Sequence, residues 1–154
     1  MPEQIIKLIG GTGKEKALVT TEDRDELCHV TFEYDGRKIS ARAADFFEAL
    51  AQVRLQLEKE HLMPYCYGAS LNVFPAGISR WIGLGLKPYR LTKGKLASSD
   101  DMVHIFASGP DVVPVTVARQ NEFFQEWLKS IAPKYAQRVG MTDPKEPPQQ
   151  TARS

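Results

Sequence analysis

The chain has 154 residues, 42% hydrophobic and 25% charged, with a net charge of +1. That length suffices to bury one core without disulfide or metal staples, and near-neutrality excludes a general nucleic-acid coat. No apolar run approaches the ~18 residues of a membrane span. The opening MPEQIIKLIGG lacks the basic-then-apolar plan of a secretory leader. Two cysteines, Cys28 and Cys66, make no disulfide framework, so a reduced, cytoplasmic protein is expected.

Taken in chain order, Gln4 to Ile9 predict a short edge strand. The following Gly10-Gly11-Thr12-Gly13-Lys14 lacks the G-x-x-x-x-G-K-[ST] spacing of a phosphate loop and is read as a turn. Residues 20–26, TTEDRDE, are polar and acidic and are read as a solvated turn.

Leu27 to Tyr34 and Arg37 to Ala43 flank Asp35-Gly36, a strong signal for a two-residue hairpin with a primed turn. That turn sets the register. It pairs Phe32 with Ile39, Val30 with Ala41 and Cys28 with Ala43 on one apolar face. The other face pairs Glu33 with Lys38, Thr31 with Ser40 and His29 with Arg42. Cys28 is thereby read as a small core residue.

Asp45 is expected to cap a helix, with Glu48 three positions on as in a capping box. Phe46, Leu50, Val53 and Leu57 form its apolar stripe, while Arg54 is grouped with the polar remainder. The helix should end near Leu62, before Pro64, with His61 in its last turn.

Tyr65 to Phe74 are read as a strand with Tyr65, Tyr67, Ala69, Leu71 and Val73 inward. Cys66, Gly68, Ser70 and Asn72 then face out, unless a bulge at Gly68 reverses the first half. Residues 75–86 predict a structured, glycine-punctuated loop. Tyr89 to Thr92 predict a strand, Lys93-Gly94-Lys95 a turn, and Met102 to Phe106 another strand. A last helix starts near Thr116 and presents Phe123, Phe124, Trp127, Leu128 and Ile131, with Pro133 ending it or following its last turn. The segment from 134 to 154 is proline-rich and polar, and predicts a disordered or weakly ordered tail.

The expected architecture is therefore a single α+β domain over 1–133: a mainly antiparallel sheet with two helices on one face. The open face is expected to present His29, Arg42, Cys66, Ser70 and Asn72.

The succession Cys66-Tyr67-Gly68-Ala69, Val73-Phe74-Pro75-Ala76-Gly77-Ile78 and Gly83-Leu84-Gly85-Leu86-Lys87 resembles a small family of uncharacterised bacterial proteins. Its members share C-x-G-A, V-[FY]-P-x-G and G-x-G-L-K motifs, and the likeness spans residues 44–131. It implies a bacterial, cytoplasmic protein and brings no activity or cofactor with it. Where members carry an acidic residue after the arginine, this chain has Trp81.

Charge segregation is the strongest functional signal. From His61 to Ser99 there is no Asp or Glu, and Arg80, Lys87, Arg90, Lys93 and Lys95 give this stretch +5. The remainder, 15 basic residues against 19 acidic, carries −4. The favoured reading is a non-enzymatic binding module whose loop 77–95 docks on an acidic protein partner, as a toxin-neutralising immunity protein does. Arg80, Trp81, Lys87, Tyr89, Arg90, Lys93 and Lys95 would carry that contact, being the residue types that supply interface energy and electrostatic steering.

Two alternatives stand beside it. One is an enzyme with Cys66 as nucleophile, His29 as base (or His61) and Asn72 as orienting group, which needs a lowered thiol pKa. The other is a weak single-stranded nucleic-acid binder using the same basic and aromatic residues. No cofactor is expected, and the scattered His and Cys residues lack metal-ligand spacing.

Overall fold

The structure, a computed structural model, describes residues 3–11, 15–75 and 83–138. Strands β1 (Glu3–Ile9), β2 (Lys16–Arg24), β3 (Leu27–Tyr34) and β4 (Arg37–Ala43) form an antiparallel meander, followed by helix α1 (Phe46–Glu58) and the short β5 (Met63–Pro64). The sheet order is β4-β3-β2-β1-β5. A second, two-stranded sheet joins β6 (Val73–Phe74) to β7 (Tyr89–Arg90), and helix α2 (Val117–Arg138) closes the fold. The class is α+β: a curled five-stranded antiparallel sheet with two helices.

The β3–β4 register is the expected one at every pair, from Cys28 opposite Ala43 to Glu33 opposite Lys38. Asp35 and Gly36 both take positive φ, 51° and 72°, as a primed turn demands. Inward residues alternate along β2 and β3: Ala17, Val19, Cys28, Val30 and Phe32 are buried. Helix α1 lies on this face with Phe46, Leu50, Val53 and Leu57, and Asp45 caps it by accepting from the Glu48 amide at 2.8 Å. Helix α2 packs against β6 and is bonded to α1 through buried side chains.

Several expectations are corrected. Residues 20–24 are not a turn but the second half of β2. Only Asp25 and Glu26, at φ 57° and 63°, make the connection to β3. Glu22 faces outward beside His29, while Thr21 turns in and Asp23, on the same face as Thr21, is exposed at the strand's end, so polarity hid a strand with only a thin apolar face. Strand β1 is not at an edge, because Leu8 and Ile9 pair with Pro64 and Met63 of a strand two residues long.

Helix α1 stops at Glu58. His61 takes φ 62° beyond its end, where the Leu62 amide reaches back to Leu57 O at 3.0 Å. The expected strand 65–74 is replaced by a single 3₁₀ turn, Tyr67–Ala69, and the short β6. Cys66, Gly68 and Ser70 lie inside against expectation, Tyr65 and Tyr67 are only half-buried, and Ala69 is inside as expected.

Met102 to Phe106 form no strand, although Val103 N and Ile105 N bond to Pro88 O and Leu86 O at 2.9 Å each. Thr116 caps α2 as expected, accepting from the Arg119 amide at 3.1 Å. Pro133 does not end that helix, which runs to Arg138 at the cost of one backbone bond. The rest of the expected tail, 139–154, lies outside the described residues. Among the described residues, no helix is long and apolar enough to cross a membrane.

Candidate binding surface

The basic stretch is held from both sides. Gly85, at φ 77°, lies so close to the start of α1 that a Cβ there would sit 2.9 Å from Asp45 Oδ1 and Phe47 N. Next to it, Leu84 O accepts from the Phe46 amide at 2.7 Å. At the far end, the Lys93-Gly94-Lys95 turn docks on α2. There the Gly94 amide donates to Ser130 Oγ at 2.8 Å, and Trp127 Nε1 donates to Lys95 O at 3.0 Å. The backbone from Leu84 to Lys95 is therefore anchored at its two ends by α1 and α2.

The side chains divide into two groups. Arg90 Nη1 lies 3.2 Å from Asp111 Oδ2, and Tyr67 donates its hydroxyl to Asp111 Oδ1 at 2.6 Å. These two partners hold the Asp111 carboxyl below its ordinary range, the tyrosine hydroxyl having the larger effect. Lys93 Nζ lies 2.8 Å from Glu126 Oε1 and 5.2 Å from the Phe123 ring centre. Tyr89 is half-buried and packs in the second core with Leu91, Trp127 and Ile131. Lys87 and Lys95 are exposed and form no ion pair among the described residues.

Of the seven expected contact residues, then, Arg90 and Lys93 already hold carboxylates of their own chain, and Tyr89 is part of a core. Arg80 and Trp81 lie outside the described residues. The sequence reading missed Asp111 and Glu126, which belong to segments beyond the acid-free stretch and reach it only through the tertiary fold.

Cys66, His29 and Asn72 are not brought together. Cys66 is 0% exposed in the main core, and burial pushes its thiol up to about 11 despite the nearby Arg54 cation and the Gly68 and Ala69 amides. His29 lies on the opposite side of β3 from buried Cys28 and Val30, facing outward with Nε2 3.2 Å from Arg24 O. Asn72 donates to Leu91 O at 3.3 Å. A buried, neutral thiol with no imidazole beside it lacks what a cysteine nucleophile needs. Of the residues expected on the open face, Cys66 and Ser70 are instead in the interior.

Arg54, grouped by sequence with the polar remainder of α1, is 1% exposed. Burial pulls its guanidinium down to about 10, which leaves it a cation at neutral pH. Its Nη1 donates to Gly68 O at 3.1 Å and to Gln120 Oε1 at 2.6 Å, and its Nη2 to Val115 O at 2.9 Å. The signal was its position four residues after Leu50, inside the apolar stripe.

Among the described residues, no group of three or more His, Cys, Asp or Glu is placed to hold a metal ion. No protein-family model matches the chain, and no curated protein matches it either.

Proposed function

We propose that this chain is a non-enzymatic, bacterial and cytoplasmic protein-binding module, whose basic stretch 77–95 docks on an acidic partner protein. Neutralisation of a toxin in the manner of an immunity protein is one form such a role takes. The observation that supports this reading is the pair Lys87 and Lys95: both are exposed, uncommitted to any carboxylate among the described residues, and carried on backbone clamped by α1 and α2. A clamped backbone spares the loop-ordering cost of docking, and the two cations on it attract a negative surface over about a Debye length. The sealed Cys66 thiol counts against the catalytic alternative. The pairing of Arg90 and Lys93 leaves too few free charges for a strong phosphate-backbone term.

Affinity capture from the native host tests the proposal, using the wild-type chain and the Lys87→Glu/Lys95→Glu variant side by side. The wild type should retain an acidic protein that elutes with rising salt, and the variant should release it while melting at the same temperature. Equal retention by both would overturn the reading.

A further inference from the structure

The outer face of the five-stranded sheet carries an open cleft of about 420 Å3 spanning β2, β3 and β4. Register builds it. His29 stands opposite Arg42 on β4 and Glu22 on β2, and the next outward residue, Thr31, stands opposite Ser40. Neighbouring outward side chains on adjacent strands sit roughly 5 Å apart, close enough for one small ligand to touch several of them.

The charges in this cleft are not equivalent. Glu22 is taken up by Arg24, whose Nε lies 3.2 Å from its carboxylate. Arg42, by contrast, is exposed and has no ion pair or hydrogen bond among the described residues, so its forked guanidinium is available. Thr31 Oγ1 and Ser40 Oγ lie 3.0 Å apart. One of these hydroxyls donates to the other, so one O–H proton of the pair is left to donate outward. His29 Nε2 is 3.2 Å from the Arg24 carbonyl, an acceptor, which places the ring proton there and leaves Nδ1 for a ligand hydroxyl.

A guanidinium fork, a free hydroxyl proton and an imidazole acceptor on adjacent strands match a tetrahedral oxyanion that still carries one proton. A carboxylate could take these donors but has no hydroxyl to give His29 Nδ1, whereas a monoprotonated phosphate supplies both acceptors and donor. We propose that this cleft binds a phosphate group, either free or as a phosphate monoester on a peptide. The site is distinct from the basic stretch and from the partner surface it provides.

The test is a titration with inorganic phosphate at constant ionic strength, followed by amide chemical shifts, with sodium chloride and acetate as controls. Saturable shifts at His29, Thr31, Ser40 and Arg42 are expected with phosphate alone. Arg42→Ala should weaken binding roughly tenfold or more, since a charged hydrogen-bonding partner is lost. Thr31→Val should also weaken it, and Lys87→Ala should leave it unchanged. A phosphoserine peptide that binds more tightly than inorganic phosphate would identify a modified protein as the source, and equal binding would identify the free ion. Shifts that do not saturate, that chloride reproduces, or that survive Arg42→Ala in a folded variant would overturn the site. None of these results bears on capture through Lys87 and Lys95.

Discussion

Arg54 Nη1 and Gln120 Oε1 lie 2.6 Å apart, and both side chains are 1% exposed. The Gln120 amide nitrogen in turn serves the carbonyls of Gly68, Ser70 and Val73, at 3.1, 2.8 and 2.9 Å. This pair thus joins α1, the 3₁₀ turn, β6 and α2. Glu58, one turn along α1 from Arg54, accepts from the Val117 amide at 2.8 Å and anchors the start of α2. Buried polar groups cost far more unpaired than paired, so this hub holds the second layer of the fold in a single arrangement.

Gln120→Ala should therefore destabilise by about 3 kcal/mol, because it takes a donor from the Gly68, Ser70 and Val73 carbonyls, of which Gly68 keeps Arg54 and Ser70 keeps the Val73 amide, and removes the Oε1 acceptor of a buried cation. Gln120→Glu should also destabilise despite adding an anion beside Arg54, since a carboxylate cannot donate to those carbonyls. Urea unfolding at neutral pH measures both. Wild-type stability in either variant would show that the hub carries no load.

A smaller change nearby tests packing. A Cβ on Gly68 would lie 2.5 Å from Leu50 Cδ2 and 3.0 Å from Ile105 O. Gly68→Ala should cost about 2 kcal/mol through overpacking. Melting temperature reports it, and Gly36→Ala gives the contrast: there a Cβ meets nothing within 4 Å and the cost comes from φ 72° alone.

Cys66 should resist iodoacetamide at pH 8 in the native protein and react once urea unfolds the chain, because burial both shields the thiol and raises it to about 11. Mass spectrometry after a timed exposure separates the outcomes. Fast labelling of the native protein at Cys66 would restore the catalytic reading.

The Asp111 carboxyl is held low by the Tyr67 hydroxyl and Arg90. A carboxylate with a depressed folded pKa contributes stability that is present above the ordinary carboxylate range and is lost as pH falls through the folded value. Asp111→Asn should lower the urea midpoint at pH 7, and the gap from wild type should close as pH falls through ~4 and below. A gap that stays constant with pH would mean the contact is not electrostatic.

How far the sequence was legible follows from which interactions are local. The β3–β4 hairpin, its register and the Asp45 cap depend on residues three to fifteen positions apart, and all were readable. The 3₁₀ turn at Tyr67–Ala69 depends on Leu50 and Ile105 closing over Gly68, contacts that no window of sequence contains. The same limit applies to the candidate site. The acid-free stretch is visible as a run of letters, but Asp111 and Glu126 arrive from outside it and neutralise Arg90 and Lys93. Phe74 illustrates a further case: its ring stacks on Phe124 with centres 4.0 Å apart and meets Phe47 edge-on at 5.0 Å, linking α1 to α2 across the small sheet.

The most direct measurement is amide hydrogen exchange on the complex recovered by affinity capture, compared with the free chain. Protection is expected in 83–95, centred on Lys87 and Lys95, and should fade at high salt. Protection confined to the outer sheet face or to α1, with 83–95 unchanged, would contradict the proposed docking surface.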